Sequence, residues 1–92
     1  MDSISYIKNG IKKLYENAPD IHINVNLSRP KIIIEASPAK IVGIHKHIFQ
    51  IEENENGRPV RHTFQYGDVL IGHITIKELD FIPLTEIKES KG

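Results

Sequence analysis

Apolar residues recur at two different periods along this chain, and the change of period separates one helix from a series of strands. The first stripe recurs every three or four residues: Ile4, Ile7, Ile11 and Leu14. With lysines on its other side, this stripe predicts an amphipathic helix. We expect Asp2 or Ser3 to cap it, and we expect it to end near Asn17 because Pro19 disfavours helical geometry at the residue before it.

From Asp20 onward the apolar residues alternate with polar ones, which predicts a strand with one buried face. Further strands are predicted at 31–36, 39–44, 47–52, 60–65 and 72–77. The three successive isoleucines at 32–34 indicate burial on both faces or a bend around a corner. Ser37-Pro38 interrupts the strand and fits an edge, a bulge or a bend, since proline lacks a backbone donor.

Two turn signals order these strands. Asn56-Gly57 predicts a type I′ hairpin within a polar loop at 53–59, because both central residues of that turn need positive φ. Tyr66-Gly67-Asp68 begins a short helical or turn segment that runs through Leu70. One helix followed by about five short strands predicts a mainly β fold, a small closed or nearly closed barrel. We expect a single domain at 1–78 and a partly docked or disordered tail at 79–92.

Composition narrows the class of protein. The chain has 92 residues and no cysteine, so it offers neither a disulfide framework nor a thiolate metal site. Its start lacks the basic region of a signal peptide, and no apolar run reaches membrane-spanning length, so we expect a cytoplasmic protein without membrane association. Twelve basic residues balance twelve acidic ones, so net charge does not direct the chain to nucleic acid.

Several short motifs, in this order, resemble the Veg family of small bacterial proteins over most of residues 5–78. They are Ile7-Lys8 in the helix, Arg29 and Lys31 at the entry to the second strand, Ile48-Phe49, and the corner Tyr66, Asp68, Val69 and Leu70. The chain departs from the family pattern at Leu27-Ser28-Arg29-Pro30, at His45-Lys46 and in the tail, so it resembles a divergent member. The resemblance implies an SH3-like or Sm-like barrel with an N-terminal helix, no enzymatic activity and no cofactor. It also implies a regulatory role linked to gene expression and biofilm formation.

The motif residues have a structural interpretation. Phe49 and Phe64 lie on the apolar face of their strands, which predicts a place in the core rather than base stacking. Asp68 lies at a corner, where its carboxylate can accept backbone N–H bonds or cap the short helix. We therefore expect Phe49, Tyr66, Asp68, Val69 and Leu70 to be structural, with a ligand role for Tyr66 and Asp68 as the alternative.

The candidate binding residues are cations and histidines. A basic face for phosphate contact would consist of Lys8, Lys12, Lys13, Arg29, Lys31 and Lys40. His45 and His47 are spaced as a divalent-metal pair, with His62 and His73 on neighbouring strands, but no cysteine or suitably spaced carboxylate accompanies them, so we predict no metal site. Neither a nucleophile with a paired base and acid nor a phosphate-binding loop is recognisable, so we predict a protein that is not an enzyme.

Two hypotheses of function follow. The first is a regulatory module that binds a protein partner through an exposed barrel edge or the helix face. The second is a nucleic-acid-binding barrel that uses the basic helix and strand face. The sequence leaves the partner and the oligomeric state open.

Overall fold

The computed structural model describes residues 3–79, and it contains the predicted helix followed by strands. The elements are α1 (Ser3–Asn17), β1 (Asp20–Ser28), β2 (Lys31–Ile44), β3 (Ile48–Glu55), β4 (Arg58–Gln65), α2 (Tyr66–Leu70) and β5 (Ile74–Ile76). The predicted helix end near Asn17 and the short helical segment at the Tyr66 corner are both confirmed. The last strand is shorter than the expected 72–77, and the predicted tail beyond Leu79 lies outside the described residues.

The five strands of this region form one antiparallel sheet in the order β4-β3-β2-β1-β5. The mainly β fold with an N-terminal helix is therefore confirmed. The sheet does not close into a barrel, because β4 and β5 are its two edges and are joined along the chain by α2. β2 serves two partners in succession: it pairs with β1 along 31–40 and with β3 along 39–44.

The β3–β4 hairpin turns on Asn56 and Gly57, as predicted. Their φ angles are +55° and +81°, the positive values that a type I′ turn requires. The expected loop at 53–59 was wrong, because Glu53 and Asn54 pair with Val60 and Pro59 in the strand ladder. The turn itself has only two residues, so the polar residues on either side of it belong to β3 and β4. They are polar because this end of the hairpin is exposed, not because they form a loop.

β2 carries a bulge close to the predicted interruption. The β1–β2 register shifts between Ile23 and Val25, and Ala36 has a φ of +45°. The Ala36 N–H donates a hydrogen bond to the Asn24 side-chain oxygen at 2.8 Å, which satisfies a donor that the bulge removes from the ladder. The strand itself continues through Ser37 and Pro38.

The core lies between α1 and one face of the sheet. Its fully buried side chains are Ile7, Ile11, Ile21, Ile23, Ile41, Phe49, Ile51, Phe64, Tyr66, Val69 and Ile74. The inward orientation predicted for the aromatic rings is confirmed. On α1 the stripe is narrower than expected, because Ile4 remains 37% exposed while Ile7 and Ile11 are fully buried.

Candidate interaction surfaces

Part of the predicted basic face gathers beside α1, in a cleft of about 430 Å³. We call it the basic cleft, and it is lined by Lys8, Lys12, Tyr15, Glu16, Ile44, His45 and Lys46. Lys8 Nζ donates to the backbone carbonyl of Lys46 at 3.4 Å, which connects the helix to the β2–β3 turn. Tyr15 is 40% exposed, so three lysines surround an accessible ring.

The other predicted cations lie elsewhere. Lys13 lines a different groove on α1, of about 570 Å³, beside Leu79. Arg29 and Lys31 lie at the β1–β2 hairpin, and Lys40 lies opposite Asp20 and Glu52 on the two neighbouring strands. The structure therefore brings Lys8 and Lys12 together with Lys46, a residue that was not among the predicted binding cations. It separates these three lysines from Lys13 and from the cations of β2. The positions of lysines along a helix do not show which groove each side chain lines until the packing of the helix against the sheet is known.

The motif residues build the corner between β4 and β5. The rings of Phe49 and Tyr66 stack with centroids 5.5 Å apart, and the Tyr66 hydroxyl donates to the carbonyl of His45 at 2.7 Å. Burial raises the pKa of Tyr66 above its ordinary value. Val69 is buried, and Leu70 packs against the core from its edge.

Asp68 holds this corner mainly through its backbone. Its carbonyl accepts a hydrogen bond from the His73 N–H at 3.0 Å, and its carboxylate lies 3.9 Å from His73 Nδ1. The capping role expected for Asp68 is not observed: Gln65 occupies the cap position of α2 and makes no side-chain cap bond. Because α2 follows β4 without a break, the last residue of the strand, Gln65, takes the cap position, and Asp68 lies within the helix itself.

Four of the five histidines have separate partners. His22 Nδ1 lies 2.8 Å from Glu78 Oε2, His62 Nε2 lies 3.3 Å from Glu53 Oε1, and His45 Nε2 lies 3.3 Å from Gln50 Oε1, while His73 faces Asp68. Among residues 3–79, no three His, Cys, Asp or Glu side chains converge on a point that could hold a metal ion. Although burial favours its neutral form, hydrogen bonds from the His22 ring and the His22 N–H hold the pKa of Glu78 below its ordinary value.

A further surface is the edge of β2 at residues 31–35, which we call the free edge. Within the described part of the chain, β3 pairs with β2 only from Ala39 onward, so this stretch has a neighbour on the β1 side alone. Ile33 lies at its centre and is 58% exposed, the highest value among the exposed large apolar residues of the range 3–79. Of the two alternatives for 32–34, burial on both faces and a bend around a corner, the first is wrong, since only Ile34 is buried.

The direction of the backbone groups along this edge follows from the partners of β1. The Asn26 N–H donates to the His73 carbonyl at 2.9 Å, on the β5 side of β1. Since backbone groups alternate sides along a strand, those of Val25 and Leu27 point to β2, where their partners are Ile34 and Ile32. The N–H and C=O groups of Lys31 and Ile33 therefore point away from β1, toward the free edge.

Comparisons with known proteins find no relative of this chain. No family model, no curated protein and no solved structure matches the chain. The likeness to the Veg family therefore stays a prediction. Neither α1 nor α2 is long and apolar enough to span a membrane.

Proposed function

We propose that this chain is a cytoplasmic, non-enzymatic interaction module of the Veg type, which serves gene regulation and biofilm formation by binding a protein partner at the free edge of β2. The observation that carries the proposal is the exposed Ile33 on a strand segment whose outer backbone groups have no strand beside them within residues 3–79. Strand addition to such an edge derives affinity from main-chain hydrogen bonds and specificity from alternate side chains.

The side chains of the free edge define what the partner must offer. Lys31, Ile33 and Glu35 are all exposed and alternate with Ile32 and Ile34, so they share the outer face of the sheet. An antiparallel strand would meet them best with a basic, an apolar and an acidic residue at alternate positions, read from its N-terminus. Directly opposed opposite charges and apolar pairs stabilise a sheet, whereas opposed like charges destabilise it.

The proposal is tested by affinity capture from the host cytoplasm with three forms of the chain. The wild type and Ile71→Lys should retain a common partner, and Ile33→Lys should lose it. Ile71 is a matched control because it is also an exposed isoleucine, 42% accessible, at the end of α2. Equal capture by the Ile33→Lys variant, or no retained protein with any form, would contradict the proposal.

A second candidate function, nucleic-acid binding, is favoured by the basic cleft. Lys8, Lys12 and Lys46 provide cations for phosphates, and the exposed ring of Tyr15 offers a surface for base stacking. The net charge of zero argues for a small footprint rather than an extended one.

Fluorescence anisotropy with generic single-stranded RNA and DNA tests this candidate. Binding should weaken steeply with salt and with Lys12→Glu, but much less with Lys13→Glu, whose side chain lines the other groove of α1. Equal effects of the two charge reversals would exclude the cleft as the site, and unchanged anisotropy at high protein concentration would exclude nucleic acid.

A further inference from the structure

We infer that a second copy of this chain binds the free edge of β2, so that the two β2 strands pair antiparallel about Ile33 and join the two sheets into one. The inference rests on the proposed function, because it uses the same edge and names its partner. The partner strand that the edge requires has a basic, an apolar and an acidic residue at alternate positions. Lys31, Ile33 and Glu35 of β2 have that pattern themselves.

A two-fold axis through the Ile33 pair makes the contact self-complementary. Lys31 of each copy then lies opposite the partner's Glu35, so the ion pair forms twice, and the two Ile33 side chains cover each other. In a parallel arrangement in register, Lys31 would face the partner's Lys31, which is unfavourable. Charge complementarity therefore selects the antiparallel pairing.

The backbone of the edge fits the same axis. The N–H and C=O groups of Ile33 point toward the free edge, as the β1 hydrogen bonds require. When two such residues are directly opposed in an antiparallel pair, they exchange two N–H···O=C bonds. Ile32 and Ile34 remain bonded to β1, so the hairpin loses none of its own ladder when a second copy binds.

The length of the edge limits the strength of the dimer. The bulge at Ala36 ends the regular strand on one side, and the turn at Arg29-Pro30 ends it on the other. Stable interfaces bury about 1,200 to 2,000 Å² in total, which is more than a five-residue strand pair covers. We therefore expect a reversible dimer whose population increases with protein concentration.

Charge reversal tests the inference by sedimentation equilibrium. Lys31→Glu and Glu35→Lys each place like charges opposite one another twice, and each should weaken the dimer about tenfold or more. The double variant Lys31→Glu/Glu35→Lys restores the opposite-charge pairs with the composition of the wild type, so it should dimerise as the wild type does. A wild type that is monomeric up to about 1 mM, or a double variant no better than the single ones, would overturn the inference.

Disulfide trapping provides a second test that does not depend on affinity. The chain has no cysteine, so a single Ile33→Cys substitution creates one thiol per copy, and the two-fold axis places the two thiols opposite each other. Directly opposed Cα atoms lie about 5.5 Å apart, within the range that a disulfide spans. Oxidation should crosslink Ile33→Cys rapidly and Ile71→Cys slowly; equal rates would contradict the two-fold axis.

The two tests also separate the inference from the proposed function. A monomeric chain that still captures a different protein in an Ile33-dependent way would overturn the inference and leave the proposed function standing. A dimer that crosslinks through position 33 while no other protein is captured supports the inference and limits the partner of the proposed function to a second copy of the chain.

Discussion

Phe49 and Tyr66 stack in the core with their ring planes 23° apart, and the hydroxyl of Tyr66 reaches out of the stack to the carbonyl of His45. This relationship joins β3, the β4–β5 corner and the β2–β3 turn through one side chain. The turn that carries His45 also forms a wall of the basic cleft, so the core determines the position of a surface feature.

Removing the Tyr66 hydroxyl should weaken this connection without emptying the core. Tyr66→Phe keeps the ring stack but leaves the His45 carbonyl without its donor, so we expect a loss of about 1 to 2 kcal/mol in the free energy of unfolding. Urea denaturation followed by circular dichroism measures the loss. Tyr66→Leu, which also removes the stack, should cost more. No loss of stability in Tyr66→Phe would mean that the hydrogen bond contributes nothing, and an equal loss in both variants would mean that the ring stack contributes nothing.

Tyr66 should also make the stability of the protein depend on pH in the alkaline range. The folded state holds the pKa of Tyr66 above its unfolded value of about 10. The folded state therefore retains a proton that the unfolded state releases, and stability should fall as the pH rises above about 10. Denaturation midpoints at neutral and at strongly alkaline pH should show a smaller decline for Tyr66→Phe than for the wild type. A decline of the same size in both would assign the effect to other groups.

The pair of His22 and Glu78 should act at the acidic end of the pH range. The lowered pKa of Glu78 contributes stability that is present above its unfolded value of about 4.3 and is lost as the pH falls through the folded value. Because the His22 N–H donates to Glu78 Oε1, Glu78→Ala should also accelerate hydrogen exchange at the His22 amide. The amide of Ile23 serves as the internal reference, because Ile23 lies between β2 and β5 in the sheet and does not contact Glu78 through a hydrogen bond of its own. Unchanged exchange at His22 would contradict the role of this bond.

The hairpin turn should be sensitive to its backbone angle alone. Gly57 has a φ of +81° and open space around the position of a Cβ atom, so Gly57→Ala meets no clash but should still cost about 1 kcal/mol. Gly67→Ala is the matched control, because it also meets nothing within 4 Å and lies in α2. Thermal unfolding should rank Gly57→Ala below the wild type and Gly67→Ala at or above it, and the reverse order would contradict the assigned turn.

Gly10 and Leu79 should be energetically coupled. A Cβ atom on Gly10 would lie 2.6 Å from Leu79 Cδ1, so alanine gains helix propensity there but displaces the leucine. In a Leu79→Ala background the displacement disappears, and Gly10→Ala should stabilise α1 by about 1 kcal/mol. A double-mutant cycle measured by denaturation should therefore give a non-zero coupling energy. Additive effects would mean that Leu79 does not cover Gly10 in solution.

Local rules predict the elements of this fold well. The period of α1, the alternation in β1 and the Asn56-Gly57 turn each depend on residues that are close in sequence, and the structure confirms all three. Phe49 and Phe64 could be assigned to the core because the side chains of a strand alternate between its faces.

The surfaces depend on relationships that are distant in sequence. Ile33 lies between two isoleucines, so its sequence neighbours alone suggest a buried position. Only the register of β2 against β1 and β3 shows that it lies on an unpaired edge within residues 3–79. Lys12 and Lys13 are adjacent and identical, yet the packing of α1 turns them into different clefts. The helical period predicts that the two lysines point in different directions, but it does not show which groove each of them lines.

The bulge at Ala36 determines how long a bound strand remains in place. It ends the straight part of the edge after residue 35, so a strand that adds there has few hydrogen bonds to break before it leaves. Dissociation of such a contact is rapid, and occupancy follows the concentration of the second strand closely. A single alanine with positive φ therefore makes this edge suited to contacts that form and dissolve as protein levels change, rather than to a permanent assembly.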